Sequence, residues 1–317
     1  MSVYRAIKDQ AITLTKNRAI GVPLALTANA IGRTGLSRKI SVMCDFAPKW
    51  VPVAIPGKEE QPIFMAGENG REPVSRAFWF GGWRGFEFPM PDMFARLAAQ
   101  AHVVLDIGSF SGLYSLISAR VNGEAKVYAF EPFPVAQRLI KNNIDRNDFH
   151  ERIALIEIAL SDAPGSARLS VPTTETGLLE SSSSIAPIYE DKTLESFEVK
   201  KDTLDNVCAE KRISGVSLIK LDVEQHEEAV LKGGRKIFER DRPILFMEIL
   251  KDMETGFFNE FFNSLNYQNY SLGGERLLKE DVIAYSANGD NHVLCPSERA
   301  AEIESAAAAI GLPVMSK

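Results

Sequence analysis

The run Val103-Val104-Leu105-Asp106-Ile107-Gly108-Ser109-Phe110-Ser111-Gly112 sets a carboxylate near the end of an apolar stretch, with two glycines just behind it. A second apolar stretch, Val127-Tyr128-Ala129-Phe130, ends in Glu131-Pro132. The first reads as a buried strand, a tight turn and a helix opening at Leu113-Tyr114-Ser115; the second reads as the next parallel strand. Gly108 and Gly112 allow close approach of the backbone, and the helix start offers free N–H groups. A carboxylate at the tip of the second strand, Glu131, suits the vicinal hydroxyls of a ribose. Asp106 at the mouth of the turn serves a pyrophosphate poorly. S-adenosylmethionine has a ribose, an amino group and no phosphate, and fits these residue types better than a dinucleotide.

A second group of chemical residues lies in Val216-Ser217-Leu218-Ile219-Lys220-Leu221-Asp222-Val223-Glu224-Gln225-His226-Glu227. Its apolar part reads as another buried strand, and ligands of open parallel sheets bind beyond such strand ends. Alternation along a continuing strand puts Lys220, Asp222 and Glu224 on one side. A lysine in a buried strand is costly unless paired, so Lys220 is expected to bond Asp222 or a ligand. Pro243-Ile244-Leu245-Phe246-Met247-Glu248 ends in one more carboxylate beside the same crevice. Asp222 leads as a proton acceptor, with Glu224, His226 and Glu248 in reserve and Lys220 as its partner. Glu224 and Glu227 also suit a helix N-terminus through its dipole, and a histidine such as His226 is more often solvated or satisfied than catalytic. No spacing among Asp222, Glu224 and His226 demands a metal, and none is expected.

These groups need elements to hold them. From residue 101 onward, strands are expected at 103–107, 126–131, 153–158, 216–222 and 243–249. Helices are expected at 112–121, 134–146, 225–239 and 253–265. This alternation implies an α/β fold with a parallel sheet covered on both faces. Asn269–Leu272 and His292–Cys295 read as a late hairpin. Ala167–Val171 and Glu195–Lys200 read as an edge pair in the long stretch between the third and fourth strands. Between them lies the polar segment Thr173–Ser184, read as a solvated loop or an active-site lid. An alanine-rich helix is expected from Ser297 to Ile310.

Residues 1–85 read as an appendage and 86–317 as the main domain. The appendage is expected to hold a helix from Tyr4 to Ala30 and extended runs at Ile40–Met43, Trp50–Ile55, Pro62–Met65 and Val74–Phe80. The aromatics Phe78, Trp79, Phe80, Trp83, Phe86 and Phe88 are expected to cement the appendage or to wall a pocket. Asp92 is expected to cap a helix running to Gln100.

The chain of 317 residues carries a net charge of -6, which argues against a broad nucleic-acid surface. Cys44, Cys208 and Cys295 show neither metal spacing nor a disulfide framework, and no signal-peptide pattern opens the chain, so a cytoplasmic location is expected. Ala19–Ile31 is too short and too interrupted to span a bilayer. It reads as a helix packed on protein, with peripheral membrane contact as the alternative.

Several blocks carry a family resemblance, in order. They are Leu105-Asp106-Ile107-Gly108 with Gly112, Val127 to Pro132, Ala159-Leu160-Ser161-Asp162 with Gly165, Asp202-Thr203-Leu204-Asp205, and Ile219 to Glu224 with His226-Glu227 and Val230-Leu231-Lys232-Gly233. Over residues 80 to 298 the chain resembles the FkbM family of S-adenosylmethionine-dependent methyltransferases. The resemblance implies a Rossmann-like class I methyltransferase fold, with seven strands and the last antiparallel. It implies O-methyl transfer to a small-molecule or glycan acceptor: a sugar, a glycolipid or a natural product. It also implies that Asp106, Gly108, Ser109 and Gly112 shape the cofactor loop, Glu131 and Pro132 meet the ribose, and Ser161 and Asp162 lie near the adenine. Asp222 and its neighbours would face the methyl group. The chain departs from the family at Ser109-Phe110, usually Ala-Asn, and at Gln225, usually Gly. N-methyl transfer, a nicotinamide-dependent oxidoreductase on the same topology (against which the Lys220 to Glu224 cluster argues) and a cofactor-binding scaffold without turnover are the rival readings.

Overall fold

Apolar strands alternate with helices as the pattern requires, and together they make an open, mostly parallel sheet. The computed structural model describes residues 48–172, 184–185 and 194–316. These form two units, split after Phe88. The expected helix at Tyr4–Ala30, the run Ile40–Met43 and most of Thr173–Ser184 lie outside the described residues.

In the first unit, β1 (Trp50–Val53) pairs antiparallel with β2 (Ile63–Ala66). The run Val74–Phe80, expected to be extended, is instead part of helix α1 (Pro73–Gly81). The cause is local. The Glu72 carboxylate accepts the N–H groups of Val74 and Ser75, and Pro73 is preset for a first helical turn. That start outweighs the strand preference of Phe78-Trp79-Phe80. Phe78 then packs against Trp83 and Phe86, with ring centroids 5.9 and 6.2 Å apart.

The second unit begins with α2 (Met90–Ala98), β3 (Val103–Ile107), α3 (Leu113–Val121), β4 (Lys126–Phe130), α4 (Pro134–Asn147) and β5 (Ile153–Ile156). Asp92 lies inside the first turn of α2, behind Pro91, and does not cap it. Next come β6 (Ala159–Leu160), β7 (Gly165–Pro172), β8 (Leu194–Asp202), α5 (Leu204–Glu210) and β9 (Val216–Leu221). Then follow α6 (Glu227–Gly233), α7 (Arg235–Asp241), β10 (Ile244–Glu248), α8 (Gly256–Ser264) and β11 (Tyr267–Leu272). The chain closes with β12 (Leu277–Glu280), β13 (Asn291–Pro296), α9 (Ala300–Ala309) and β14 (Val314–Ser316).

The sheet order is β14-β12-β11-β13-β10-β9-β3-β4-β5. Strands β5, β4, β3, β9 and β10 are parallel, and β13 is antiparallel to β10. This is the expected Rossmann-like α/β fold, with β12 and β14 extending it beyond seven strands. The late pair is present as β11 with β13, registered at Asn269↔Leu294. Chain order reverses between β3 and β9, so the crevice opens where their carboxyl ends diverge.

The edge pair is also present. Strands β7 and β8 match Ala167 with Val199 and, with β6, make a separate three-stranded sheet. One expected helix is broken: 225–239 divides into α6 and α7 around Gly234. A Cβ on the preceding Gly233 would lie 2.1 Å from the Ser161 carbonyl oxygen, so α6 is pressed onto that loop. On one sheet face, Ile107, Ile219, Leu221 and Met247 pack with Val230, Phe238, Phe258 and Phe262 to form the core.

Gly108 is the tightest point of this frame. Its φ is +78°, and a Cβ there would lie 1.7 Å from the Asp222 carbonyl oxygen. Gly108→Ala should therefore destabilise the fold by at least about 2 kcal/mol, from backbone strain plus displacement of the β9 tip. Urea unfolding measures this, and a change under about 0.5 kcal/mol, the scale of a neutral surface substitution, would contradict the packing.

Candidate active site

The turn after β3 is built on the tip of β4. The N–H groups of Gly108 and Ser109 both donate to the Phe130 carbonyl, at 3.0 and 3.1 Å, and Ser109 Oγ donates to it at 3.2 Å. Phe110 takes a left-handed φ of +45° and donates its N–H to Glu131 Oε2 at 2.7 Å. Glu131 Oε1 accepts the Phe133 N–H at 2.8 Å. Gly112, at φ +79°, leads into α3, and Asp106 Oδ2 accepts both the N–H and the hydroxyl of Ser115, at 2.9 and 2.6 Å. Asp106 thus holds the start of α3. Asn143 donates to the Ser111 carbonyl at 2.8 Å, and Gln137 to the carbonyls of Glu131 and Pro132 at 2.9 and 3.1 Å. Neither Asn143 nor Gln137 gave a sequence signal, because amides on a helix face look like ordinary surface.

Burial sets the protonation of these acids. It pushes Glu131 up to about 7, against its two backbone hydrogen bonds, and the Asp106 charge adds to the rise. Asp106 rises to about 6 by burial, opposed by Ser115 and by the Lys220 charge. When ionised, a buried carboxyl with one backbone donor on each oxygen keeps a lone pair free on each. That geometry accepts two adjacent hydroxyls, and it repels a phosphate.

The second group assembles at the tip of β9. Lys220 Nζ lies 3.0 Å from Asp222 Oδ2, with the lysine side chain only 3% exposed. Tyr114 presents its ring 5.5 Å from Nζ, and Phe94 braces that ring edge-on at 4.8 Å. Lys220 and Asp222 therefore share a side, as alternation required. Glu224 does not extend the pattern: β9 ends at Leu221, and Glu224 and Gln225 turn through left-handed φ values of +52° and +69°. Burial, joined by the charges of Asp222, Glu248 and Glu227 and opposed by Lys220, raises Glu224 to about 8. Glu248 ends β10 on the adjacent strand. Glu227 opens α6, accepts the Val223 N–H at 3.0 Å, and is raised to about 7, mainly by burial.

His226 belongs to a third group. Its Nε2 lies 3.1 Å from Ser161 Oγ, which also meets Asp162 at 3.1 Å and Lys201 at 3.4 Å. Burial lowers the His226 pKa, with Asp162 opposing and Lys201 adding. The structure thus brings His226 to Ser161 and Asp162. Sequence reasoning missed Lys201 and Ser184. Ser184 Oγ donates to the Glu224 carbonyl at 2.6 Å. Among the described residues, no group of three or more His, Cys, Asp or Glu has the arrangement to hold a metal ion.

The sequence profile of the methyltransferase FkbM domain matches residues 101–272. The chain is 31% identical over 157 residues to the methyltransferase sdnD of Sordaria araneosa, covering 41% of this chain and 59% of that protein. It is 27% identical over 150 residues to the 2-O-methyltransferase NoeI of Sinorhizobium fredii (strain NBRC 101917 / NGR234), covering 44% and 60%. The matches thus span about six tenths of those relatives' own length. A solved methyltransferase FkbM from Methylobacillus flagellatus KT aligns with a TM-score of 0.42 at 13% identity, covering 89% of this chain and 60% of that one.

The buried acids make stability depend on pH. Between the usual carboxyl range and about 8, the folded protein binds more protons than the unfolded chain, so stability should fall as pH rises through that window. Glu131→Gln removes one contributor. Urea unfolding at pH 5 and pH 8 should show a smaller loss in the variant than in the parent; equal losses would contradict the burial of Glu131.

Proposed function

The chain belongs to the FkbM methyltransferase family, and from that premise we propose that it transfers a methyl group from S-adenosylmethionine to a hydroxyl of a sugar, glycolipid or natural product. The observation that carries this reading is the crowd of carboxyls around Lys220 at the crevice mouth, close to the glycine turn that Glu131 supports. The 2-O-methyltransferase named among the relatives accords with hydroxyl transfer.

When bound, the cofactor supplies an activated methyl on a sulfonium. The chain's own residues do the rest: they bind, orient and accept a proton. Glu131 offers its remaining lone pairs to the ribose hydroxyls, beside Pro132. Gly108, Ser109 and Gly112 fix the turn on which the cofactor lies, and Asp106 fixes the helix behind it. Ser161 and Asp162 stand at the adenine side. The Glu131 carboxyl suits this ligand because S-adenosylmethionine offers vicinal hydroxyls and carries no phosphate.

Proton removal falls to the second group. Asp222 stands at the strand tip, yet its Oδ2 is bonded to Lys220 and neutralises that buried charge. Glu224 sits among Asp222, Glu248 and Glu227 with its pKa near 8, close to the value that favours a general base near neutral pH. We assign proton acceptance to Glu224 and the anchoring of Lys220 to Asp222, with Glu248 shaping the acceptor side. Transfer to nitrogen would need no such base once the amine is neutral. A panel of hydroxyl and amino acceptors separates the two. Two buried free thiols, Cys208 and Cys295, suit a reducing cytoplasm. No helix among the described residues is long and apolar enough to cross a membrane.

S-adenosylhomocysteine should raise the melting temperature, and NAD should not. The stabilisation amounts to about 2.7 kcal/mol at a hundredfold excess over Kd. Glu131→Ala should remove most of the shift; an unchanged shift would place the ribose elsewhere.

Turnover should rise as pH passes about 8, where Glu224 ionises. Glu224→Gln should lower kcat by about a hundredfold to ten-thousandfold and flatten that rise, with cofactor affinity kept. A variant with parental kcat would return the base to Asp222, His226 or Glu248.

A further inference from the structure

Glu224 and Gln225 form two successive left-handed residues, and neither is glycine. Side chains rarely adopt this backbone, and such stretches persist only where the surroundings determine them. The surroundings here include a residue far away in sequence. Ser184 is buried, 1% exposed, and its Oγ donates to the Glu224 carbonyl at 2.6 Å. Ser184 is itself fixed from the other side. Its N–H donates to the Ser170 carbonyl at 3.0 Å, and its carbonyl accepts the Ser170 N–H at 2.9 Å. This isolated antiparallel bridge ties it to β7. The next residue, Ile185, packs against the apolar cluster of Phe133, Leu169 and Val171. The hydroxyl therefore reaches the turn from an anchored backbone and not from the turn's own element.

We propose that Ser184 is a positioning residue: its hydrogen bond holds the Glu224–Gln225 turn and so keeps the Glu224 carboxyl in the crevice. This rests on the reading of Glu224 as the proton acceptor. The need for a tie follows from charge. Ionised Glu224 is repelled by Asp222, Glu248 and Glu227, and the cation that offsets them, Lys220, is already bonded to Asp222. A turn with two strained residues relaxes under that repulsion unless its carbonyl is held. Released, the carboxyl moves toward water. It loses both its place beside the acceptor and its raised pKa. Gln225 makes the tie necessary, because a glycine there would take the left-handed backbone without strain.

The test uses the whole chain and four variants: Ser184→Ala, Ser184→Thr, Gln225→Gly, and Ser184→Ala combined with Gln225→Gly. Amide hydrogen exchange across residues 222–227 and the pH titration of the 13C-labelled Glu224 carboxyl read the turn directly, without substrate. Methyl transfer reads its consequence. Ser184→Ala should speed exchange at the turn and shift the Glu224 titration downward. It should lower kcat about tenfold, the scale of one hydrogen bond lost to a working geometry, and leave the Kd for S-adenosylhomocysteine unchanged. Ser184→Thr, which keeps a hydroxyl, should restore all three. Gln225→Gly should recover most of the loss in the Ser184→Ala background. Should Ser184→Ala fold poorly, Ser184→Cys, whose thiol is only a weak donor, takes its place with the same expected exchange and titration changes, and parental values there would equally overturn the proposal. Parental exchange and a parental Glu224 titration in Ser184→Ala would overturn the proposal. So would a lowered kcat that the combined variant does not recover. A parent that methylates no acceptor, with the turn still loosened by Ser184→Ala, would overturn the function and leave the tie standing.

Discussion

One buried ammonium organises the site. Lys220 sits in a central strand with its side chain almost fully enclosed, where an unpaired charge would cost several kcal/mol. Asp222 neutralises it at 3.0 Å, and the Tyr114 ring covers it. Its charge also reaches Asp106, Glu224 and Glu227, lowering each against the upward push of burial. One cation thus serves more carboxyls than it can pair. Asp222 takes the bond, and Glu224 is left crowded and holds its proton tightly. An imbalance that looks like poor electrostatics is what gives a carboxyl proton affinity near neutral pH.

The backbone supplies the other half of the arrangement. The carbonyl of Asp222 presses so closely on residue 108 that only glycine fits there, and the Asp222 N–H donates to the Ile107 carbonyl at 3.0 Å. The tips of β3 and β9 are therefore fixed to each other at the point where the sheet's chain order reverses. The turn that meets Glu131 and the turn that carries Glu224 start from this one junction. A shift at Gly108 would move both the Glu131 carboxyl's partner turn and the carboxyl cluster.

Much of this was legible in the sequence because burial and period left plain marks. Apolar runs ending in Asp106, Glu131, Asp222 and Glu248 marked the strands, their parallel direction and the crevice end. The cost of a buried lysine, with alternation along the strand, left Asp222 or a ligand as the partner of Lys220, and the structure shows Asp222. What the sequence hid were places where one local interaction overrides a pattern. Glu72 and Pro73 turn an aromatic strand-like run into a helix. Gly233 and Gly234, pressed against the Ser161 loop and Leu204, break a helix that period alone would continue. Glu224 leaves the strand's alternation because the chain turns left-handed, and φ carries no signature when the residues are Glu and Gln. Ser184 lies in a run of serines whose composition says only that it is polar, and its reach to Glu224 arises only in the folded chain.

The most direct test of the account is a crystal structure with S-adenosylhomocysteine. The account predicts ribose hydroxyls within hydrogen-bonding distance of both Glu131 oxygens. It also predicts the sulfur opening toward the space between Asp222, Glu224 and Glu248, with the Lys220–Asp222 bond intact. A ligand lodged elsewhere, or a sulfur facing away from those carboxyls, would contradict it.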